Sequence, residues 1–304
     1  MTRKRFSLLT RSLAAVAVVG SLALTGCASS SDAAISAGTE ADPIVIGIVS
    51  SGEEYWKTFT AKAEEAGIHV ELKNFSDYQL PNQGLADGDL DLNQFQHLQF
   101  LADFNVKTGN DLTPIGATAV YALDLYSTKV TDVADIPDGA EVAVPNDASN
   151  QARALLVLQD AGLVTLKDGG NSFSTAADVI ADESRVAVTA LKADQTPAAL
   201  QDPKIYAAIV NNDYVPNLPA ESQKPIYSTD ASSSANDPYI NIWVARAEDK
   251  DNETFAKLIE IYHDTEVTDG VIEASGGTGI IKSETPAELQ EILATIEKNQ
   301  KAQG

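Results

Sequence analysis

Val144-Pro145-Asn146-Asp147-Ala148-Ser149-Asn150-Gln151-Ala152-Arg153 reads as a strand end, a polar turn and a helix start in immediate succession. Behind it, Glu141 to Val144 is short and apolar enough for a buried strand. Ahead of it, Gln151 to Ala161 has the composition of a helix and stops at Gly162. A strand feeding a helix through so short a turn is the building unit of α/β proteins. On this spacing Arg153 falls in the first helical turn, beside free backbone N–H groups and the positive end of the helix dipole. A cation there opposes the dipole unless an anion is bound, and a guanidinium fork suits a carboxylate. Spacing alone leaves equally open a surface salt bridge to one of the 44 acidic residues.

The same alternation extends in both directions. Ile44 to Val49 is an apolar run ending at Ser50-Ser51-Gly52, followed by a helical face of Trp56, Phe59, Ala63 and Ala66 with a stop at Gly67. His69 to Phe75, Arg185 to Leu191 and Ile205 to Val210 read as strands, the last halting at Asn211-Asn212. Near the C-terminus, Phe255, Leu258, Ile259 and Tyr262 share one helix face, as do Leu289, Ile292, Leu293 and Ile296. Thr285-Pro286-Ala287-Glu288 is a capping box with proline at the first helical position. The pattern predicts an α/β protein whose parallel strands are covered by helices on both faces. Ligands of open α/β sheets bind beyond the carboxyl ends of the strands, which is where Arg153 and Asn211 both fall.

Composition narrows the function. A chain of 304 residues suits about two domains. Its net charge of −23 argues against a basic face gripping a phosphate backbone, so nucleic acid is not an expected partner. One cysteine excludes an intrachain disulfide framework, a zinc ribbon and CxxC redox chemistry. The sequence holds no Gly-x-Ser-x-Gly elbow, no Walker A loop and no His-Glu-x-x-His, and the glycines of Ser275-Gly276-Gly277-Thr278-Gly279 lack dinucleotide spacing. Asp87-Gly88-Asp89-Leu90-Asp91 fails as a calcium loop, with Leu92 in place of the turn glycine and Leu98 in place of the bidentate glutamate. It reads instead as a glycine-stopped helix turning into a short strand, its carboxylates solvated. No metal, no cofactor and no enzymatic activity are expected. The alternative from a different class is a lipid-anchored hydrolase using a pair of its many carboxylates on a small substrate.

The N-terminus is a separate text. Arg3, Lys4, Arg5 and Arg11 precede an uncharged run from Leu13 to Leu24, too short to span a bilayer comfortably and of the length of a secretory apolar segment. Leu24-Thr25-Gly26-Cys27 resembles a bacterial lipobox, which implies cleavage after residue 26 and a lipid (palmitate) on Cys27. From Ala28 to Asp42 the chain is rich in Ser, Ala and Gly, with Ile35 its one large apolar residue, the composition of a flexible tether. A lipid and a tether together predict a protein held at the extracytoplasmic face of the cell membrane.

Phe75-Ser76-Asp77-Tyr78-Gln79-Leu80-Pro81-Asn82 and Gly88-Asp89-Leu90-Asp91-Leu92-Asn93-Gln94-Phe95-Gln96-His97 are similar to the signature of the NlpA lipoprotein family, the substrate-binding proteins of methionine ABC importers. Val142 to Asp147 with Arg153, Gly162 to Gly169, Asn211, and Pro238-Tyr239-Ile240-Asn241 recur in that family's order and approximate spacing, from about Ile44 to Tyr262. The resemblance implies a two-lobed periplasmic-binding-protein-like fold of type II with its ligand in the interlobe cleft. One lobe would be 43–122 plus 239–304 and the other 123–238, after a signal peptide 1–26 and a lipidated tether 27–42. It further implies that Arg153 grips an amino acid's carboxylate, that Asn211 and Asn241 bind its polar end, and that Tyr78, His97, Phe100 and Tyr121 line a side-chain pocket, with Tyr239 also at the site. The implied partners are methionine and an ABC importer permease. Leu98, Gln99 and Phe100 replace the lysine, proline and tyrosine common in the family, and Ala122 replaces a proline. Methionine, another apolar amino acid and a short peptide therefore all stay open as ligands.

Overall fold

The computed structural model describes residues 35–49 and 52–303; the expected signal segment, Cys27, the tether through residue 34 and Ser50-Ser51 lie outside the described residues. From the N-terminal side the elements are β1 (Ile44–Val49), α1 (Glu54–Glu65), β2 (Val70–Phe75), α2 (Pro81–Ala86), β3 (Leu92–His97), α3 (Leu98–Thr108), β4 (Thr113–Ala117) and β5 (Ala119–Val120). There follow β6 (Asp124–Tyr126), β7 (Glu141–Pro145), α4 (Ala148–Asp160), β8 (Ala187–Leu191), α5 (Thr196–Ala199) and β9 (Ile205–Val210). The chain ends with β10 (Asn241–Ala245), α6 (Glu253–Tyr262), α7 (Thr265–Ala274), β11 (Ile280–Ile281) and α8 (Pro286–Lys301).

The first large sheet has the order β2-β1-β3-β10-β4. β1 runs parallel to β2 and β3, whereas β10 is antiparallel to both β3 and β4. Alternation along β1 explains the layers, since successive side chains of a strand point to opposite faces. Ile44, Ile46 and Ile48 join Trp56, Phe59, Trp243 and Tyr262 in one core under α1, α6 and α7. Val45 faces the other way, toward Leu98, Leu101, Leu289 and Leu293 of α3 and α8. Gly47 lets the α2 turn approach this strand, for a β-carbon there would meet Leu90 Cδ1 at 2.5 Å.

The second sheet has the order β6-β9-β7-β8, with β7, β8 and β9 parallel and β6 antiparallel to β9. One face buries Val142, Val144, Leu155, Leu158 and Ile209. The other buries Ala143, Ala208 and Val210 in a cluster that includes Val49, Tyr78 and Phe95 of the first sheet's side. The chain leaves the first sheet after β4, gives β5 to a small antiparallel pair with β11, and returns to the first sheet only at β10. Both sheets are therefore mixed, which corrects the expectation of parallel strands throughout. A strand arriving from another sheet brings no crossover helix to impose a parallel direction.

Three local expectations change. α4 begins at Ala148, not Gln151, because Asp147 Oδ1 accepts the Asn150 N–H at 3.0 Å and caps the helix. Asp91 is not solvated: it is buried and accepts the Val45 N–H at 2.8 Å and the Ser36 N–H at 3.0 Å. The stretch 35–42, read as tether from its composition, is likewise held. Ile35 packs on the first core, Gly38 accepts the His69 N–H, and Thr39 bridges Asp42. Among the described residues no helix is long and apolar enough to cross a membrane.

Candidate functional site

The carboxyl ends of β3, β7 and β9 converge on a cavity between the two sheets, with about 450 Å³ of space inside it and at its mouth. Its wall includes Tyr78, His97, Phe100, Tyr121, Arg153, Asn211 and Asn241. The eighth expected residue, Tyr239, lies one layer back with its ring against Arg153. His263 is elsewhere, its Nε2 at 2.9 Å from the Ala117 carbonyl. Gly279 packs against the Tyr121 ring instead of forming any phosphate loop. Among the described residues no group of three or more His, Cys, Asp or Glu is placed to hold a metal ion.

Arg153 is the dominant charge. Because α4 starts at Ala148, this residue stands in the second turn, and the amide of Asn150 is already occupied by Asp147. This corrects the first-turn placement: Arg153 reaches the cavity from the second turn of α4, not from the helix end. Arg153 is 8% exposed, donates from Nη2 to the Tyr121 carbonyl at 2.7 Å, and holds its guanidinium carbon 4.3 Å from the Tyr239 ring centroid. Among the described residues it makes no ion pair. Burial lowers its pKa to about 10, opposed by Tyr239 and Asp124, so it remains a cation at neutral pH. A buried charge without a direct counter-ion is costly unless a ligand supplies one.

His97 ends β3 and caps α3, its Nδ1 accepting the Phe100 N–H at 3.1 Å. That acceptor role leaves Nε2 as the protonated nitrogen, 3.2 Å from Asn150 Oδ1 across the cavity. Burial, reinforced by the Arg153 charge, drives its pKa down to about 3, so the ring is neutral. Asn150 Oδ1 also accepts from Asn211 Nδ2 at 3.0 Å. This arrangement turns Asn211 Oδ1 into a buried acceptor with no hydrogen-bond partner among the described residues. The polar wall thus offers a fixed cation on one element and an unused acceptor on another.

The remaining wall is aromatic. Tyr78 lies 5.9 Å from Phe95 and 6.0 Å from Phe100 between ring centroids, and Phe95 lies 5.8 Å from Phe100. Beneath them Asn82 and Gln96 exchange amide hydrogen bonds, and Gln96 Nε2 donates to Asn93 Oδ1 at 2.9 Å. This satisfied buried network stiffens the strand that presents Phe95 and His97. Tyr78 Oη donates to Asp213 Oδ2 at 2.7 Å. Burial pushes the Asp213 carboxyl up to about 6, and Asp124, behind Arg153, is pushed up to about 6 by the same cause.

Asn150, Leu123, Asn212 and Asp213 also line the cavity, and sequence reasoning did not single them out. For Asn150 and Asp213 a signal existed: each is a polar residue within a few positions of the carboxyl end of a buried strand.

The NlpA lipoprotein family model matches residues 44–283 of this chain. The D-methionine-binding lipoprotein MetQ of Salmonella typhi is 35% identical over 269 residues, covering 87% of this chain and 94% of that protein. Two solved structures are similar along their lengths. The substrate binding protein of a methionine transporter from Streptococcus pneumoniae matches with a TM-score of 0.71 at 34% identity, over 79% of this chain and 95% of that one. A nutrient binding protein from Burkholderia cenocepacia bound to methionine matches with a TM-score of 0.71 at 32% identity, over 79% of this chain and 99% of that one.

Proposed function

This chain belongs to the NlpA lipoprotein family, and on that premise we propose that it is a substrate-binding lipoprotein that captures methionine or a related apolar amino acid outside the cell and delivers it to an ABC importer. The observation that carries this is Arg153, a buried guanidinium without an ion pair among the described residues, on the wall of the cavity between the two sheets. In this reading the fork of Arg153 takes the ligand carboxylate in two charge-assisted hydrogen bonds. Asn211 and Asn241 accept from the ammonium end. Tyr78, His97, Phe100 and Tyr121 surround the side chain, where a polarisable thioether gains from aromatic contact. Tyr239 keeps the guanidinium in plane from behind.

The two lobes are taken as 43–122 plus 239–304 and 123–238. Supporting this division, every strand of the first large sheet comes from 44–117 and 241–245, and every strand of the second from 124–210. The two chain passages between the sheets would act as the hinge, with the cavity closing as the lobes approach. Cys27, lipidated after removal of residues 1–26, would hold the protein on the membrane beside its permease.

The competing hydrolase needs a carboxylate pair with one raised pKa. Asp124 and Asp213 are both raised, but only Asp213 lines the cavity, and Asp124 is engaged by Ser228 and Thr229. Binding without chemistry is therefore the better account of the site.

The test is a thermal-shift screen of the purified protein with L- and D-methionine, the other amino acids, methionine dipeptides, sugars and polyanions. A ligand at a hundred times its Kd stabilises a protein by about 2.7 kcal/mol. Methionine or another apolar amino acid should give such a shift. Stabilisation by a sugar or a polyanion alone would overturn the proposal.

A further inference from the structure

Asn150 receives two hydrogen bonds on one carboxamide oxygen, and they come from opposite sides of the cavity. His97 Nε2 lies 3.2 Å from Asn150 Oδ1, and Asn211 Nδ2 donates to the same atom at 3.0 Å. His97 ends β3 of the first sheet, whereas Asn150 lies on α4, which follows β7, and Asn211 follows β9, both strands of the second sheet. All three residues are buried, and all three line the cavity. A carboxamide can turn either its oxygen or its nitrogen toward a neighbour, so the chemistry of this wall depends on what holds each amide in one sense.

Both ends of the chain of bonds have a fixed polarity. At one end Asp147 Oδ1 caps α4 by accepting the Asn150 backbone N–H at 3.0 Å, and it also accepts from Asn150 Nδ2 at 2.9 Å. The side-chain nitrogen of Asn150 is therefore turned toward the cap, and its oxygen toward the cavity. At the other end the Phe100 backbone N–H donates to His97 Nδ1 at 3.1 Å, which leaves the proton on Nε2, facing Asn150 Oδ1. With two independent groups requiring an oxygen at this point, Asn211 can meet it only through Nδ2. A flipped Asn211 would set oxygen against oxygen across the 3.0 Å that the hydrogen bond now spans. Asn211 Oδ1 is thereby turned away from Asn150, and it has no hydrogen-bond partner among the described residues.

We propose that Asn150 is a positioning residue of the site: it carries the polarity of the α4 cap and of the His97 ring to Asn211 and holds that amide with its oxygen toward the ligand, so that the cavity selects amino acids over their deaminated counterparts. This assignment rests on the amino-acid-binding reading above and adds to it a residue outside the expected ligand set. Asn150 acts through Asn211, not on the ligand. Of the groups on a methionine-like amino acid, the α-ammonium alone donates N–H bonds, since an ionised carboxylate and a thioether have no hydrogen to give. A deaminated ligand leaves the Asn211 oxygen desolvated and unmatched, and a buried polar group left unpaired is how a site rejects an analogue.

The experiment is a double-mutant cycle. The parent, Asn150→Leu, Asn211→Ala and the double variant are each titrated calorimetrically with L-methionine and with 4-(methylthio)butanoate, which lacks only the ammonium. Leucine has nearly the shape of asparagine and offers no acceptor. The parent should favour L-methionine by roughly a hundredfold or more, and Asn150→Leu should lose at least about tenfold of that preference, the equivalent of one hydrogen bond to a charged group. With Asn211→Ala already in place, the same substitution should change the preference by less than about threefold, because the residue it acts through is gone. If Asn150→Leu melts early, Asn150→Ala is carried through the same cycle. Equal weakening of both ligands by the Asn150 variant, with the preference intact, would mean that Asn150 only supports the fold and would overturn its positioning role alone. A loss of preference that persists in full without Asn211 would put Asn150 in contact with the ammonium itself and would overturn the role as well. A parent that binds neither compound while another ligand class stabilises it would overturn the amino-acid reading together with this one.

Discussion

The guanidinium carbon of Arg153 sits 4.3 Å from the centre of the Tyr239 ring, bringing a residue of α4 against one on the approach to β10. With Nη2 tied to the Tyr121 carbonyl, this stacking fixes the plane of the fork before any ligand arrives. A desolvated cation–π contact contributes about 2 kcal/mol, and a lysine ammonium cannot reproduce the planar two-pronged donor. Arg153→Lys, which keeps the charge, should therefore weaken L-methionine by roughly tenfold or more, the loss of about 1.4 kcal/mol. Calorimetry decides this, and an unchanged affinity would mean that charge alone matters at this position.

His97 should stay neutral through the physiological range. Burial and the neighbouring Arg153 hold its pKa near 3, so its NMR signals should not titrate between about pH 5 and 8, the window in which an ordinary histidine does, and should report the Nε2–H tautomer. A group depressed in this way favours the fold above its unfolded-state pKa of 6.5, and that contribution declines as pH falls toward 3. Asp124 and Asp213, raised to about 6, act in the opposite sense: their contribution is present below the ordinary carboxylate pKa of 3.8 and is lost as pH rises through 6. The advantage of the parent over His97→Gln should accordingly shrink as acid is added, by at most about 1.4 kcal/mol per pH unit. A midpoint near 6.5 for His97 would contradict the tautomer and the burial together.

Asp91 joins the start of the folded chain to the first sheet. Asp91→Ala removes the acceptor for both Ser36 and Val45, and an orphaned amide costs roughly 1 to 3 kcal/mol. The expected outcome is a melting point lower by several degrees, with faster proteolysis ahead of Ile44. Unchanged proteolysis would show that the ordering of 35–42 does not depend on this carboxylate.

Cys27→Ala should abolish lipid attachment and cleavage ahead of residue 27, read by mass spectrometry as an unlipidated chain that keeps its signal segment. A parent protein that carries no lipid on Cys27 and has its N-terminus still at Met1 would rule out the lipid anchor.

The strand and helix alternation was readable because burial imposes periodicity: Ile44, Ile46 and Ile48 face one core and Val45 the other. Direction was not readable, since nothing within β10 records that its chain has come from the other sheet. The site was legible where a motif supplied it, as with Arg153 and Asn211, and illegible where it depends on distance in sequence. Asn150 meets His97 across 53 residues and Asp213 meets Tyr78 across 135, separations that no local pattern encodes. Asp91 misled for the same reason, as its partners Ser36 and Val45 lie 55 and 46 residues away. The α4 start was within reach, for Asp147 is a strong capping residue three positions before Asn150.

The central claim is that Arg153 holds the carboxylate of an amino acid in this cavity. Calorimetric titration of L-methionine into the parent and into Arg153→Ala tests it most directly. Removing one partner of a buried, hydrogen-bonded charge pair costs roughly 2 to 5 kcal/mol, so the variant should bind tens to thousands of times more weakly. An affinity within about threefold of the parent, a difference of only about 0.65 kcal/mol, would place the carboxylate elsewhere and contradict the account.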